Sequence, residues 1–437
     1  MSRSYIVFNP GSHPAPKWIA ARMADEGVLA QYWTSAQVGN QANDSLWLGA
    51  LPKSIRNEFN SRQLPISIRG PLLKRAAIAR DLAAAIARRI GNSDLERRLL
   101  HARNRAIAKK IIGQLKMRGE EDLWVIIPSN THSGLARQCI RLGVPYALYT
   151  PLPLADYSSN LMAEEAVSNP DWARHLHFIA GDPLAADRDA AIEAKGASLV
   201  LANSAFTGKS FATLVDQERI ASIPLAVDIE RFRALGLLGS ATDERKATEP
   251  LKVTYSGHIS QRKGLSYLFE AIEGSSHPEN YELLLIGSDT TQMESQLRGT
   301  YPHVRATFVR SLPQESLWRR LASQHVFVFP TLLDGFGNVL IEASALGLPS
   351  IVTDRCGGLD IGLVPDGGSL VPAQDGGSIR DALQNLYAAE DERRLMGIAA
   401  TAVVARGRSW ADYGADVLKA LTQGTPLDQI EAALSNE

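Results

Sequence analysis

Cysteine is nearly absent. Cys139 and Cys356 are the only two in 437 residues and stand far apart, so there is no disulfide framework and no metal-ligand spacing such as C-x-x-C. That scarcity suits a reducing compartment. Long hydrophobic runs are missing too: no stretch approaches the roughly 18 apolar residues of a membrane span, and the opening MSRSYIVFNPGSHP reaches Pro10 before its apolar run is long enough for a secretory signal. The expectation is a cytoplasmic protein, at most peripheral on a membrane. No G-x-G-x-x-G lies between a strand-like and a helix-like segment, which argues against a nicotinamide dehydrogenase. With 22 Pro, 34 Gly and 45% hydrophobic residues, the composition excludes collagenous, low-complexity and disordered chains.

Net charge is also close to absent, at −1, yet it is unevenly spread. Thirteen basic and three acidic residues fall between Lys74 and Arg118, a local charge of +10 that leaves −11 for the remainder. Such asymmetry points to a local anionic partner. The segment reads as two helices, Leu72 to Ile90 and Leu95 to Met117, because Ile78, Leu82, Ile86 and Ile90 recur every four residues, as do Leu95 with Leu99 and Ile107 with Ile111 and Leu115. Their polar faces would carry the basic excess outward, toward an anionic membrane surface or an acidic acceptor. No nucleic-acid partner is expected.

Short apolar runs alternate with helical patterns along the whole chain, the signature of parallel sheets flanked by helices. Strands are expected at Tyr5 to Phe8, Leu123 to Ile127, Tyr146 to Tyr149, Leu199 to Leu201 and Ser222 to Pro224. A second set is expected at Leu251 to Tyr255, Tyr281 to Ile286, Val304 to Val309, Val326 to Phe329, Ser350 to Thr353 and Leu370 to Val371. The polar stretch ending at Pro250 divides them. The organisation is therefore an α/β chain of two Rossmann-like domains, 1–230 and 251–405, with a linker at 231–250 and a terminal helix within 406–437.

The most informative segment is FVFPTLLDGFGNVLIEASALGLPSIVTD, residues 327–354. A strand ends at Pro330, a loop holds Gly335 and Gly337, Asn338 can cap, and a helix runs from about Val339 to Gly347. In open parallel sheets ligands bind beyond the carboxyl ends of strands, where a helix N-terminus offers N–H groups to a phosphate. Asp334 lies just before this helix and Glu342 in its first turn or so, facing one cleft. Upstream, KVTYSGHISQRKGLSYLFEAI, residues 252–272, sets Lys263 beside Arg262 after a glycine turn, where fixed positive charge could meet a departing diphosphate.

These segments resemble the retaining family-four glycosyltransferases of GT-B fold. Asp334 stands at the first acidic position of that family's signature and Glu342 at the second, around the loop Gly335, Phe336, Gly337. The resemblance implies that Glu342 holds the ribose of a nucleotide sugar, and that Asp334 and the loop with Asn338 and Val339 hold the donor sugar. It also implies that Lys263 and Arg262 face the diphosphate. Gly257 matches the family's turn glycine, and His258 stands where the family has Arg. Arg310 and Leu312 fall beside the expected base, and LANSAFTGKS, residues 201–210, resembles a Ser-containing strand. The first domain would take a glycan or lipid-linked acceptor near the turns Asn9 to His13 and Ser129 to His132, with His132 on the catalytic side. No metal cofactor is expected. Two other readings stand beside this one: a sugar-nucleotide epimerase of related architecture, and a non-catalytic sugar-nucleotide-binding module.

Overall fold

The computed structural model describes residues 3–11, 13–37, 59, 62–117, 122–176, 183–241, 245, 249–289, 292–406 and 409–423. Arg118, six residues of the expected linker (242–244 and 246–248) and 424–437 lie outside them.

Apolar runs that are hydrophobic on both faces build two wholly parallel sheets, because the crossover helices cover both sides. The first contains β1 (Ser4–Asn9), β2 (Leu29–Thr34), β3 (Leu73–Arg75), β4 (Leu123–Pro128), β5 (Tyr146–Thr150), β6 (Leu199–Ala202) and β7 (Ile220–Ser222), in the order β3-β2-β1-β4-β5-β6-β7. The second contains β8 (Leu251–Ser256), β9 (Tyr281–Ile286), β10 (Ala306–Val309), β11 (Val326–Phe329), β12 (Ser350–Thr353) and β13 (Gly368–Val371), in the order β10-β9-β8-β11-β12-β13. Each order reverses once, between β1 and β4 and between β8 and β11. Those reversals open the crevices that position ligands in such sheets. The architecture is α/β and GT-B.

Two strands were not expected. β2, LAQYWT, lacks both alternation and β-branched residues before its last position, and its buried Gln31 is legible only once its side-chain carbonyl is seen accepting from the Trp33 indole at 2.7 Å. β3 is a three-residue edge carrying Lys74 and Arg75. The helix expected from Leu72 therefore begins only at Ile78 and runs to Arg89. β7 ends at Ser222 rather than beginning there.

The basic hairpin, Ile78–Arg89 and Ser93–Met117, corrects a further expectation. The face turned inward from the first helix holds Asp81, Ala84, Ala85 and Ala87, while Ile86 and Ile90 are 50% and 69% exposed. Arg103 points inward and pairs with buried Asp81 at 2.8 Å, with Arg62 on the other carboxylate oxygen at 3.1 Å. Ile78 and Leu82 of the stripe do pack against the buried cluster of Ala36, Phe59 and Ala85, so only its outer half, Ile86 and Ile90, leaves the core side, where the inward face keeps Asp81 with its cations.

The last described helix, Trp410–Gln423, packs on Pro14–Asp25 of the first domain. Trp410 stacks with Trp18 at 6.3 Å between ring centroids. No described helix is long and apolar enough to cross a membrane.

Candidate active site

At the reversal of the second sheet, β8 and β11 deliver two loops to the same place. After β8 a 3-10 turn, Gln261–Lys263, is closed by Gly264 at φ +66° and followed by the helix Leu265–Glu273. A Cβ at Gly264 would lie 1.9 Å from the Pro330 carbonyl oxygen, so only glycine lets the turn pass the end of β11. The Arg262 carbonyl accepts from the Leu332 N–H at 3.0 Å, and its guanidinium donates to the Leu333 carbonyl at 2.8 Å. Sequence neighbours of Lys263 are thereby stitched to sequence neighbours of Asp334.

Lys263 is 7% exposed and its ammonium donates to the Asp334 carboxylate, 5.2 Å from the centroid of the Phe329 ring. The Phe336 N–H donates to the other Asp334 oxygen at 3.3 Å. Burial alone would raise the Asp334 pKa, but the charges of Lys263 and Arg262, with the hydrogen bonds, hold it below the usual carboxylate value. Burial brings Lys263 below the ordinary lysine value, opposed by Asp334 and reinforced by Arg262. Two cations against one carboxylate leave the centre able to accept an anion.

The loop Gly335–Gly337 leads into the helix Asn338–Leu346. Its N-cap is Gly337, with no side-chain capping bond, so Asn338 is the first helical residue and not the cap. A glycine cap leaves the leading N–H groups to the main chain and to whatever enters the crevice. Phe336 is buried, its ring against Gly357, whose N–H donates to the Phe336 carbonyl at 2.9 Å. Asn338 is exposed and Val339 half-buried. Glu342 sits in the second turn of the helix, not the first, and its carboxylate accepts from the Gln314 side-chain amide at 3.0 Å. Burial raises its pKa, while Gln314 and Trp318 favour the charged form.

The remaining expected residues are more dispersed. The Gly257 N–H donates to the Ile286 carbonyl at 3.0 Å, and the His258 carbonyl accepts from the Tyr255 hydroxyl at 2.9 Å. Arg310 is exposed just beyond β10, and half-buried Leu312 packs on the core. His132 follows β4 at the reversal of the first sheet. Burial first, then the charge of Arg105, lowers its pKa, with Asp189 opposing. Its neighbours are therefore first-domain charges, not the Lys263–Asp334 pair. His13, following β1, lies 3.1 Å from the Tyr149 hydroxyl, and burial lowers its pKa to about 4. Among the described residues no three His, Cys, Asp or Glu side chains gather as a metal site.

The first domain reaches this loop directly, through two residues of the segment 201–210, for which the sequence itself indicates no such contact. The Ser204 and Thr207 hydroxyls donate to the Gly335 carbonyl at 2.6 and 3.0 Å. A Cβ at Gly335 would lie 1.7 Å from the Pro151 carbonyl oxygen. The Ala205 N–H donates to Asp360 at 2.6 Å. Ser204 carries a legible signal as the N-cap of Ala205–Phe211, but nothing local indicates its second partner 131 positions away.

Residues 241–403 match the family described as Glycosyl transferases group 1. The phosphatidyl-myo-inositol mannosyltransferase of Mycobacterium leprae is 32% identical over 165 residues, 36% of this chain and 42% of that protein. The chain's matches span less than half the length of such curated relatives. Over 97% of this chain, the sucrose-phosphate synthase of Thermosynechococcus elongatus has a similar structure, with a TM-score of 0.59, 18% identity and 99% of that chain covered. An Anabaena protein solved in complex with UDP matches over 96% of this chain and 99% of its own, with a TM-score of 0.58 and 13% identity. The family match is thus confined to residues 241–403, within a chain whose overall fold is GT-B.

Proposed function

We propose that this protein is a glycosyltransferase that moves a sugar from a nucleotide donor to a glycan or lipid-linked acceptor, with retention of anomeric configuration and without a metal ion. The observation that carries this reading is the buried Lys263–Asp334 pair with Arg262 beside it, at the reversal of the second sheet and before the glycine-capped helix. Departure of a nucleoside diphosphate places growing negative charge on the β-phosphate. Lys263, Arg262 and the main-chain N–H groups after Gly337 would stabilise that charge where water is scarce. Asp334 orients the Lys263 ammonium and, with the loop amides of Gly335 to Val339, holds the transferred sugar. Glu342 takes the ribose, Arg310 and Leu312 flank the base, and Gly257 with His258 forms the turn behind the diphosphate. His132 stands on the acceptor side. Placement and electrostatics then supply the rate, so no strong base is required.

The complex with UDP of one structural neighbour supports a uridine or related nucleotide as donor. The experiment is incubation with UDP-, GDP-, ADP- and TDP-sugars, with and without chelator, scoring diphosphate release and thermal shift. Release in the presence of chelator and stabilisation by one nucleoside diphosphate are expected. An absolute need for Mg²⁺ or Mn²⁺, or no shift with any nucleotide, overturns the reading.

For the acceptor we place the protein in the cytoplasm and on the inner face of the cell membrane, with residues 74–118 against anionic lipid. Exposed Ile86, Ile90 and Leu95 at the hairpin tip lie among Arg89 and Arg98, so an apolar edge and a cationic one share a surface.

A further inference from the structure

Glu165 is fully buried, on the first-domain helix Ala155–Ser168. One carboxylate oxygen accepts from the Gln261 amide at 2.7 Å and the Tyr267 hydroxyl at 3.1 Å. The other accepts from the Gln374 amide at 2.6 Å and the same hydroxyl at 2.9 Å. Asn169, of its own domain, is a longer contact at 3.4 Å. All these donors are neutral, and three come from the second domain, 96, 102 and 209 positions away. A buried carboxylate held by amides and a phenol is tolerable only while its lone pairs stay occupied.

The donors frame the ionic centre from both sides. Gln261 immediately precedes Arg262 and Lys263 in the same 3-10 turn, and Tyr267 lies in the first turn of the helix that follows. Gln374 sits at φ +66°, a conformation that non-glycine residues rarely adopt, and its side-chain carbonyl accepts from the Arg355 guanidinium at 3.3 Å. The Arg355 carbonyl in turn accepts from the Asp334 N–H at 3.1 Å. One first-domain carboxylate therefore reaches Lys263 along one arm and Asp334 along the other.

We infer that Glu165 is a positioning residue, which fixes the Arg262–Lys263 turn and, through Gln374 and Arg355, Asp334, so that the charged centre of the second domain is set only when the first domain is seated on it. The kinetic part rests on the glycosyl-transfer reading. The structural part does not.

Glu165→Gln places an amide N–H₂ where a donor already points. The turnover number is expected to fall roughly thirtyfold or more while the donor KM stays within about threefold, and the melting temperature falls as a buried donor loses its acceptor. Hydrogen–deuterium exchange of residues 259–268 in the free protein should quicken. The reciprocal exchange, Glu165→Gln with Gln374→Glu, turns that donor clash back into a donor–acceptor pair, with Arg355 beside the new carboxylate, and should restore most of the rate and the protection. Gln374→Met, which removes one donor only, should shift both readouts in the same direction by less, and serves where Glu165→Gln does not fold. Unchanged turnover and exchange in the single variants, or failure of the reciprocal exchange to restore either, overturns the inference. If the wild type transfers no sugar from any donor, the exchange rates alone still decide.

Discussion

Lys263 and Asp334 are 71 positions apart in the chain and form a buried ion pair at the reversal of the second sheet. A pair of this kind is worth little as a pair, but losing one partner leaves an uncompensated charge. Lys263→Ala is therefore expected to lower turnover by about 10² to 10³, with a smaller change in donor affinity, and to destabilise the fold because Asp334 keeps only the Phe336 N–H and the more distant charge of Arg262. Adding Asp334→Ala should regain stability without regaining rate. Denaturant melts and steady-state kinetics on the two variants test this, and equal loss of rate and affinity would refute the assigned role.

Glu342→Gln retains size while weakening an acceptor of ribose hydroxyls. Nucleoside diphosphate affinity is expected to fall by ~1.5 to 3 kcal/mol, the range for hydrogen bonds to a charged group, with the fold intact since Gln314 can still donate to the new carbonyl. Calorimetric titration reads it directly. Unaltered affinity would detach Glu342 from the nucleotide.

Glu193 supplies a pH prediction. Burial raises its pKa to about 7, against a hydrogen bond from the Asn130 N–H at 3.3 Å. The folded chain then holds this proton more tightly than the unfolded chain, whose carboxyl titrates near 4.5. Its contribution to stability is complete below that value and is lost as pH rises through about 7, by about 3 kcal/mol at full extent. Glu193→Gln, which stays neutral, should melt at a higher temperature than the wild type at pH 8 and close to it at pH 5. Parallel melting curves at both pH values would contradict this.

For the hairpin, co-sedimentation with phosphatidylglycerol vesicles should be strong at low salt and weak at high salt. Arg98→Glu with Arg105→Glu should reduce it, as should Ile86→Ser with Ile90→Ser. Arg103 is unsuitable for such a test because it is buried against Asp81. Equal recovery on neutral vesicles would leave the hairpin as ordinary surface.

The second domain was readable because its strands are dense in Leu, Ile, Val and Phe and its loop glycines sit where the backbone must come close. β2 was not, since Gln31 looks like a surface residue until the Trp33 indole that satisfies it is known. The stripe of the first basic helix held for Ile78 and Leu82, which pack on a buried cluster, and misled for Ile86 and Ile90, because four-residue spacing shows which residues share a face but Asp81 and Arg103 bring the alanine face inward there. Asn338 has the chemistry of a cap, yet Gly337 takes the position because the loop needs its φ of +92°. Glu165 has no local signature at all, since its second-domain donors are contributed from remote parts of the chain.

The joint between the domains at Gly335 is made by a main-chain oxygen, two hydroxyls and a carbonyl lying close against a bare Cα. It asks nothing of first-domain side chains beyond the hydroxyls of Ser204 and Thr207. A contact of this kind is indifferent to most side-chain replacement, which accords with three curated relatives matching less than half of this chain while a shape shared with a solved structure extends over 97% of it.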